Sequence, residues 1–233
     1  MMKTRVLPLL AIFAAAIVLA FGSTPSSAAL IASGTLNKTD GTLVAAESGS
    51  LSAWANPVLT WTIDQTDNIF TYTYSFSNGN DDGSANLSHM TIETSPDFDS
   101  SDLLDGTTFD GLELPIGNDA TSPATIDGNN QTIYGVKWEV DDVATLTATI
   151  VTTRAPVWGD VFLKDGGDTA ATNSGYALPD PVTPVTGLNI TGYGFLGVPD
   201  TATVVPLPGA LWMLGGGLIG LAGIRRRACT GSK

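Results

Sequence analysis

Between residues 30 and 198, apolar and polar positions alternate with a period of two, in short runs broken by Gly, Asn, Asp and Pro. Successive side chains of an extended strand point to opposite faces, so this rhythm predicts β-strands with one packed and one wet face. The clearest strand is 69–76, where Phe70, Tyr72, Tyr74 and Phe76 share one face and Thr71, Thr73 and Ser75 the other. Segments 58–63, 87–93, 132–140, 144–152 and 157–163 read as further strands, and 187–196 as a last one. Tyr134, Val136, Trp138 and Val140 face one way, as do Leu146, Ala148 and Ile150, so these two neighbours read as a hairpin turning at Asp141-Asp142. No long run shows helical spacing. The pattern predicts an all-β fold, an antiparallel β-sandwich, of which a jelly roll is one form. Beyond it, Val198-Pro199-Asp200-Thr201 reads as an extended, mobile link.

Both ends of the chain depart from this rhythm. Lys3 and Arg5 precede an apolar run over 7–21, and Ser26-Ser27-Ala28-Ala29 follows with small side chains, the plan of a secretory signal peptide cleaved after Ala28 or Ala29. At the other end, the apolar run 204–224 would form a helix about 31 Å long, matching a hydrocarbon core of about 30 Å. Arg225, Arg226 and Arg227 would then stop it at the cytoplasmic face. Pro206 and Pro208, within Val205-Pro206-Leu207-Pro208, deny this stretch a regular helix just before the span. The predicted organisation is a signal peptide over 1–29, a β-sandwich domain over 30–198, a linker with the proline motif over 199–208, a transmembrane helix with its arginine stop over 209–227, and a tail over 228–233.

Proline motif, apolar span and basic tail together resemble the PEP-CTERM sorting domain in its Val-Pro-Leu-Pro form, the signal read by exosortase in Gram-negative bacteria. The resemblance implies a sorting motif made of Val205, Pro206, Leu207, Pro208, Arg225, Arg226 and Arg227, and an exosortase-type membrane protease as partner. It also implies a precursor spanning the inner membrane, followed by delivery to the cell surface or the exopolysaccharide matrix. Looser matches to exported proteins of this kind run through the domain, among them Tyr72-Thr73-Tyr74-Ser75-Phe76, Gly135-Val136-Lys137-Trp138 and Ala155-Pro156-Val157-Trp158-Gly159-Asp160. That family carries no assigned activity.

Charge narrows the partners. All 23 acidic residues lie between Asp40 and Asp200, and only Lys38, Lys137, Arg154 and Lys164 oppose them there, leaving a net charge of −19 on the exported part. Such a surface repels nucleic acid and anionic lipid. The one cysteine, Cys229, lies beyond the arginine stop, so stability must come from burial rather than disulfides.

Catalytic chemistry finds little to use. His89 is the only histidine, and its neighbour Ser88 points to the other strand face, out of reach as a direct partner. Zinc lacks ligands. Among the carboxylates Glu47, Glu93, Glu113 and Glu139, spacing alone places no pair across a cleft. No catalytic residue and no enzyme activity are expected, and no obligatory cofactor.

Calcium is the ion the loops suit best. Asn78, Asn80 and Asp82 present oxygens at alternating positions, although His89 stands where an EF-hand loop would carry its bidentate Glu. Two other oxygen-rich stretches hold Asp97, Asp99, Asp102 and Asp105, and Asp165 with Asp168. The expected function is that of an exported surface or matrix protein of structural or adhesive role. The alternatives are a calcium-assisted module binding exopolysaccharide and, behind it, a hydrolase of matrix glycan.

Overall fold

The computed structural model describes residues 27–46, 50–80, 84–114, 116–118, 133–176 and 178–203, and these form an all-β protein. One sheet contains β1 (Ala29–Asn37), β3 (Val58–Thr66), β4 (Ile69–Ser77), β8 (Thr145–Thr152) and β12 (Gly187–Ile190), in the order β12-β1-β3-β4-β8. A second contains β2 (Leu43–Ala45), β5 (Leu87–Glu93), β6 (Gly117–Asn118), β7 (Tyr134–Val143), β10 (Val161–Asp165) and β11 (Ala170–Asn173), in the order β2-β11-β10-β5-β7-β6. A two-stranded ribbon pairs β9 (Arg154–Gly159) with β13 (Leu196–Thr203). Pairing is antiparallel except where β12 runs parallel to β1.

The period-two reading holds best in the hairpin β3–β4. Asp67-Asn68 closes it as a two-residue loop, with Thr66 opposite Ile69 and Asp67 at φ 55°, the left-handed backbone such tight loops need. Phe70, Tyr72, Tyr74 and Phe76 are all buried, as their alternation predicts. They join Trp61 and Ile63 of the same sheet, Met90, Ile92, Trp138 and Leu163 of the second sheet, and Trp158 and Leu196 of the ribbon in one core. Each fully buried side chain of this size contributes about 1.5–3 kcal/mol of transfer free energy. The tyrosine hydroxyls cannot stay bare in that core. Tyr72 donates to the Arg154 carbonyl and Tyr74 to the Gly197 carbonyl, each at 2.8 Å, which fastens the ribbon to β4.

Three expectations from the sequence need correction. Segments 132–140 and 144–152 do not form a hairpin: β7 pairs with β5 and β6, while β8 pairs with β4 in the other sheet. The strand runs through Asp141-Asp142, with Asp142 at φ 47°, and the chain then crosses between sheets at Ala144. The segment 157–163 is two strands, split at Asp160, where the chain leaves the ribbon for the second sheet. Finally, the link expected at Val198 to Thr201 belongs to β13, where Val198 faces Val157, Pro199 faces Pro156, and Val198 is 2% exposed. Strand β13 therefore continues past residue 198 to Thr203. Residues 1–26, the span 209–227 and the arginines lie outside the described residues, among which no helix is long and apolar enough to cross a membrane.

The acidic stretch after β5 closes on a cation from the protein itself. Arg154 is 6% exposed, and its Nε and Nη2 donate to the two carboxylate oxygens of Asp102 at 2.8 and 2.9 Å. Its Nη1 reaches Asp97 at 3.3 Å, and the guanidinium lies over the Phe98 ring. Asp99 caps the short 3-10 turn Ser100–Asp102. Forked pairing of this kind is the strong form of the ion pair, and removing one partner strands the other. Replacing Arg154 by Ala should cost about 2–3 kcal/mol in urea unfolding, discounted because Asp102 sits near enough to the surface to rehydrate. Asp97→Asn, at an exposed carboxylate, should leave the urea midpoint close to that of the wild type.

Candidate functional site

A cleft of about 300 Å³ opens where the second sheet, the ribbon and the loop between β11 and β12 meet, and Glu93, Thr94, Tyr134, Trp158, Asp180 and Pro199 are among its walls. Glu93 is the last residue of β5, Asp160 is the corner between β9 and β10, and Asp180 lies in the proline-rich loop. Their carboxylate oxygens approach within 4.8 Å of one another.

Backbone pairing assembles the corner. The Glu93 N–H donates to the Asp160 carbonyl at 3.0 Å, and the Asp160 N–H returns a bond to the Glu93 Oε2 at 2.7 Å. Asn173, at the end of β11 and fully buried, donates through Nδ2 to the Asp160 Oδ1 at 2.6 Å and to the Gly194 carbonyl at 2.7 Å, while its Oδ1 accepts from the Val161 N–H at 2.9 Å. Gly159 makes room: a Cβ there would lie 2.4 Å from a Val198 methyl and 3.0 Å from the Glu93 Oε2. Trp158 packs edge-on against Trp61 and Tyr193, and its indole N–H donates to the Thr183 hydroxyl at 3.2 Å.

Burial pushes the Glu93 carboxyl up to about 8, and the negative charges of Asp160 and Asp180 add to the rise, against the smaller opposing pull of the Asp160 N–H. The Thr94 side chain, beside Glu93, is 3% exposed, and its hydroxyl has no hydrogen-bond partner among the described residues.

The residues singled out in the sequence fall elsewhere. Asn78 and Asn80 work as turn formers: the Asn78 Oδ1 accepts from the Asn80 N–H at 2.9 Å and the Asn80 Oδ1 from the Ala55 N–H at 2.8 Å, while their amide groups donate to the carbonyls of Ala53, Ser84 and Ala85. Both side-chain oxygens thus serve the loop backbone, whereas Asp82 lies outside the described residues, as do Val205, Pro206, Leu207, Pro208, Arg225, Arg226 and Arg227. The Asp165 Oδ1 accepts from the Gly167 and Thr169 N–H groups, closing its own turn. Glu113 and Glu139 flank Lys137 at 3.0 and 3.1 Å.

Ser88 and His89 do meet, contrary to the strand-face argument, with Oγ 3.2 Å from Nδ1. The pairing register between β5 and β7 slips between Leu87 and His89, and such a bulge turns the local strand. The serine's single proton goes to the Lys164 carbonyl at 3.1 Å, so the hydroxyl is an acceptor toward the ring rather than an activated nucleophile.

The aromatic row of β4 offers no platform for a sugar, being core, and Phe109, 55% exposed, is the most open aromatic side chain among the described residues. No family model, no curated protein and no solved structure matches this chain.

Proposed function

We propose that this chain is an exported protein of the cell surface or exopolysaccharide matrix, with a structural or adhesive role and no catalytic activity of its own. An exosortase-type membrane protease processes it. The observation that carries the proposal is the order of the C-terminal residues: Val205-Pro206-Leu207-Pro208, an apolar span, then Arg225, Arg226 and Arg227. The exported part is read as a β-sandwich. Its aromatic side chains are spent on the core, its serine and histidine form no nucleophilic pair, and its acidic surface suits solubility outside the cell. The cleft favours a second reading, a calcium-assisted module that binds matrix glycan, because Glu93, Asp160 and Asp180 gather oxygen ligands beside Trp158.

Mass spectrometry of the exported form tests the sorting reading. The wild-type chain should appear on or outside the cell without Arg225, Arg226 and Arg227, and Pro206→Ala with Pro208→Ala should hold the full-length precursor in the inner membrane. A mature protein that still ends at Lys233 would refute it.

A further inference from the structure

We infer that the outward face of the sheet holding β1, β3, β4 and β8 binds ice, through two rows of hydroxyl side chains that cross these four adjacent strands. The pairing register sets Thr35, Thr60, Ser75 and Thr147 opposite one another in one row, and Ser33, Thr62, Thr73 and Thr149 in the next. Each strand contributes a hydroxyl pair around one inward residue: Ser33-Gly34-Thr35, Thr60-Trp61-Thr62, Thr73-Tyr74-Ser75 and Thr147-Ala148-Thr149. Trp61, Tyr74 and Ala148 are buried, and that fixes the hydroxyls on the opposite face. Of the eight, Thr60 and Thr147 are exposed, and only Ser33, which accepts from the Asn189 N–H at 2.8 Å, is buried.

Sheet geometry turns this pattern into a lattice. Neighbouring strands lie about 4.8 Å apart, and residues on one face of a strand follow one another at about 6.8 Å. Water oxygens on a prism face of ice repeat at two unequal spacings of nearly this size. Threonine suits such a face, because its hydroxyl holds a water molecule, its methyl excludes one, and its branched Cβ stiffens the side chain. The array is also tied together from within: the Ser75 and Thr147 hydroxyls lie 3.0 Å apart, and the Thr60 hydroxyl donates to the Ser75 carbonyl at 3.4 Å.

Charge selects the partner. Asp64 is the only ionisable side chain at the outward positions of β3, β4 and β8, in a domain whose net charge is −19. A face cleared of charge to this degree complements a neutral surface and offers no ion pair to a charged one. Neutral hydroxyls gain little from a soluble partner, since each bond they form replaces one to water. An ordered lattice of water meets many of them at once and needs no such exchange. A second copy would find no apolar side chains in the two rows to interdigitate with its own, as stacked sheets require. Twist of about 20–25° between strands confines the match to a small patch, so the expected activity is restraint of ice recrystallisation more than a wide freezing gap. The face does not depend on the export reading.

Ice recrystallisation in sucrose, with the full chain purified in mild detergent and the same detergent alone as blank, tests the inference. The wild type should keep ice grains small at micromolar concentration. Thr62→Tyr with Thr73→Tyr sets bulk in the middle of both central strands, where tyrosine is a good strand former, and should weaken the activity at least tenfold with circular dichroism and melting point near wild type. Thr147→Tyr, on the more open β8, should weaken it as well and reads the same face if the central variant unfolds. Val182→Tyr, in the loop between β11 and β12, should leave it intact. Grain growth in the wild type equal to the blank would overturn the inference, as would activity that survives in the folded face variants or is lost equally in Val182→Tyr. Pull-down on an insoluble neutral glucan, or dimerisation in sedimentation, abolished by the Thr62→Tyr and Thr73→Tyr pair while ice is unaffected would give the face to those partners instead.

Discussion

Replacing Trp61 with alanine should destabilise the fold by about 3–5 kcal/mol, the range for emptying an aromatic side chain from a core. The upper part of that range is expected for a reason visible in its neighbours. The indole is 1% exposed and lies directly on backbone: a Cβ at Gly34 would sit 2.5 Å from its ring, and one at Gly197 3.2 Å from it. Two of the residues that floor and roof the ring are glycines, with no side chain to swing into the space. Trp158, its edge-on partner at 5.9 Å, loses that contact as well. Urea unfolding followed by circular dichroism gives the number. Trp61→Phe should cost less than half as much, and Gly34→Ala, ruinous in the wild type, should be milder in the Trp61→Ala background, a coupling of about 1 kcal/mol or more. A Trp61→Ala cost below about 2 kcal/mol would mean that the two sheets close over the gap.

The fold was legible in the sequence to the extent that the decisive interactions were local. Phe70, Tyr72, Tyr74 and Phe76 share one strand face because of covalent geometry, and any packing partner would bury that face. Alternation says which face is buried but not which strand lies alongside. That is why 132–140 and 144–152 looked like a hairpin, although the strands they contain belong to different sheets. Asp141-Asp142 resembles a turn, yet an acid can also occupy a bulge on an exposed strand end, and there the chain crosses two residues later, at Ala144.

The candidate site was nearly illegible for the same reason. Glu93 and Asp160 are 67 residues apart and meet only through the pairing of β5 with β10, while Asp180 comes from a loop. One signal was available. Gly159-Asp160 interrupts the apolar run 157–163, and a charge in the middle of an otherwise buried strand marks a place where the chain must bend out of the core or find a partner. Side chains in all three oxygen-rich stretches serve the protein itself: Asn78 and Asn80 hold their loop, Asp97 and Asp102 clamp Arg154, and Asp165 closes its own turn. Composition counts carboxylates without saying what each one faces. Only the fold distinguishes those that face an arginine or close their own turn from those crowded against one another.

That crowding has a measurable consequence in metal-free solution. The Glu93 carboxyl has a folded-state value of about 8, against 4.5 for the free side chain. Between those two values the folded chain keeps a proton that the unfolded chain has released, so the folded state binds more protons and stability must fall as pH rises. The loss begins near pH 4.5 and is complete near pH 8. At 1.36 kcal/mol for each unit of difference, it amounts to about 5 kcal/mol, reduced to about 3–4 because the carboxyl keeps some contact with water. Other acids in so negative a chain add their own slope, so the comparison is with Glu93→Gln, which carries no charge at any pH and still accepts the Asp160 N–H. In EDTA, wild type and Glu93→Gln should be close in stability at pH 5, and the variant should be the more stable by about 3–4 kcal/mol at pH 8. Urea midpoints at half-unit steps from pH 5 to 8.5 give both curves. Parallel curves would show that the Glu93 carboxyl ionises in the folded state as it does in the unfolded chain, and that water reaches the corner between β9 and β10 far more freely than its packing indicates.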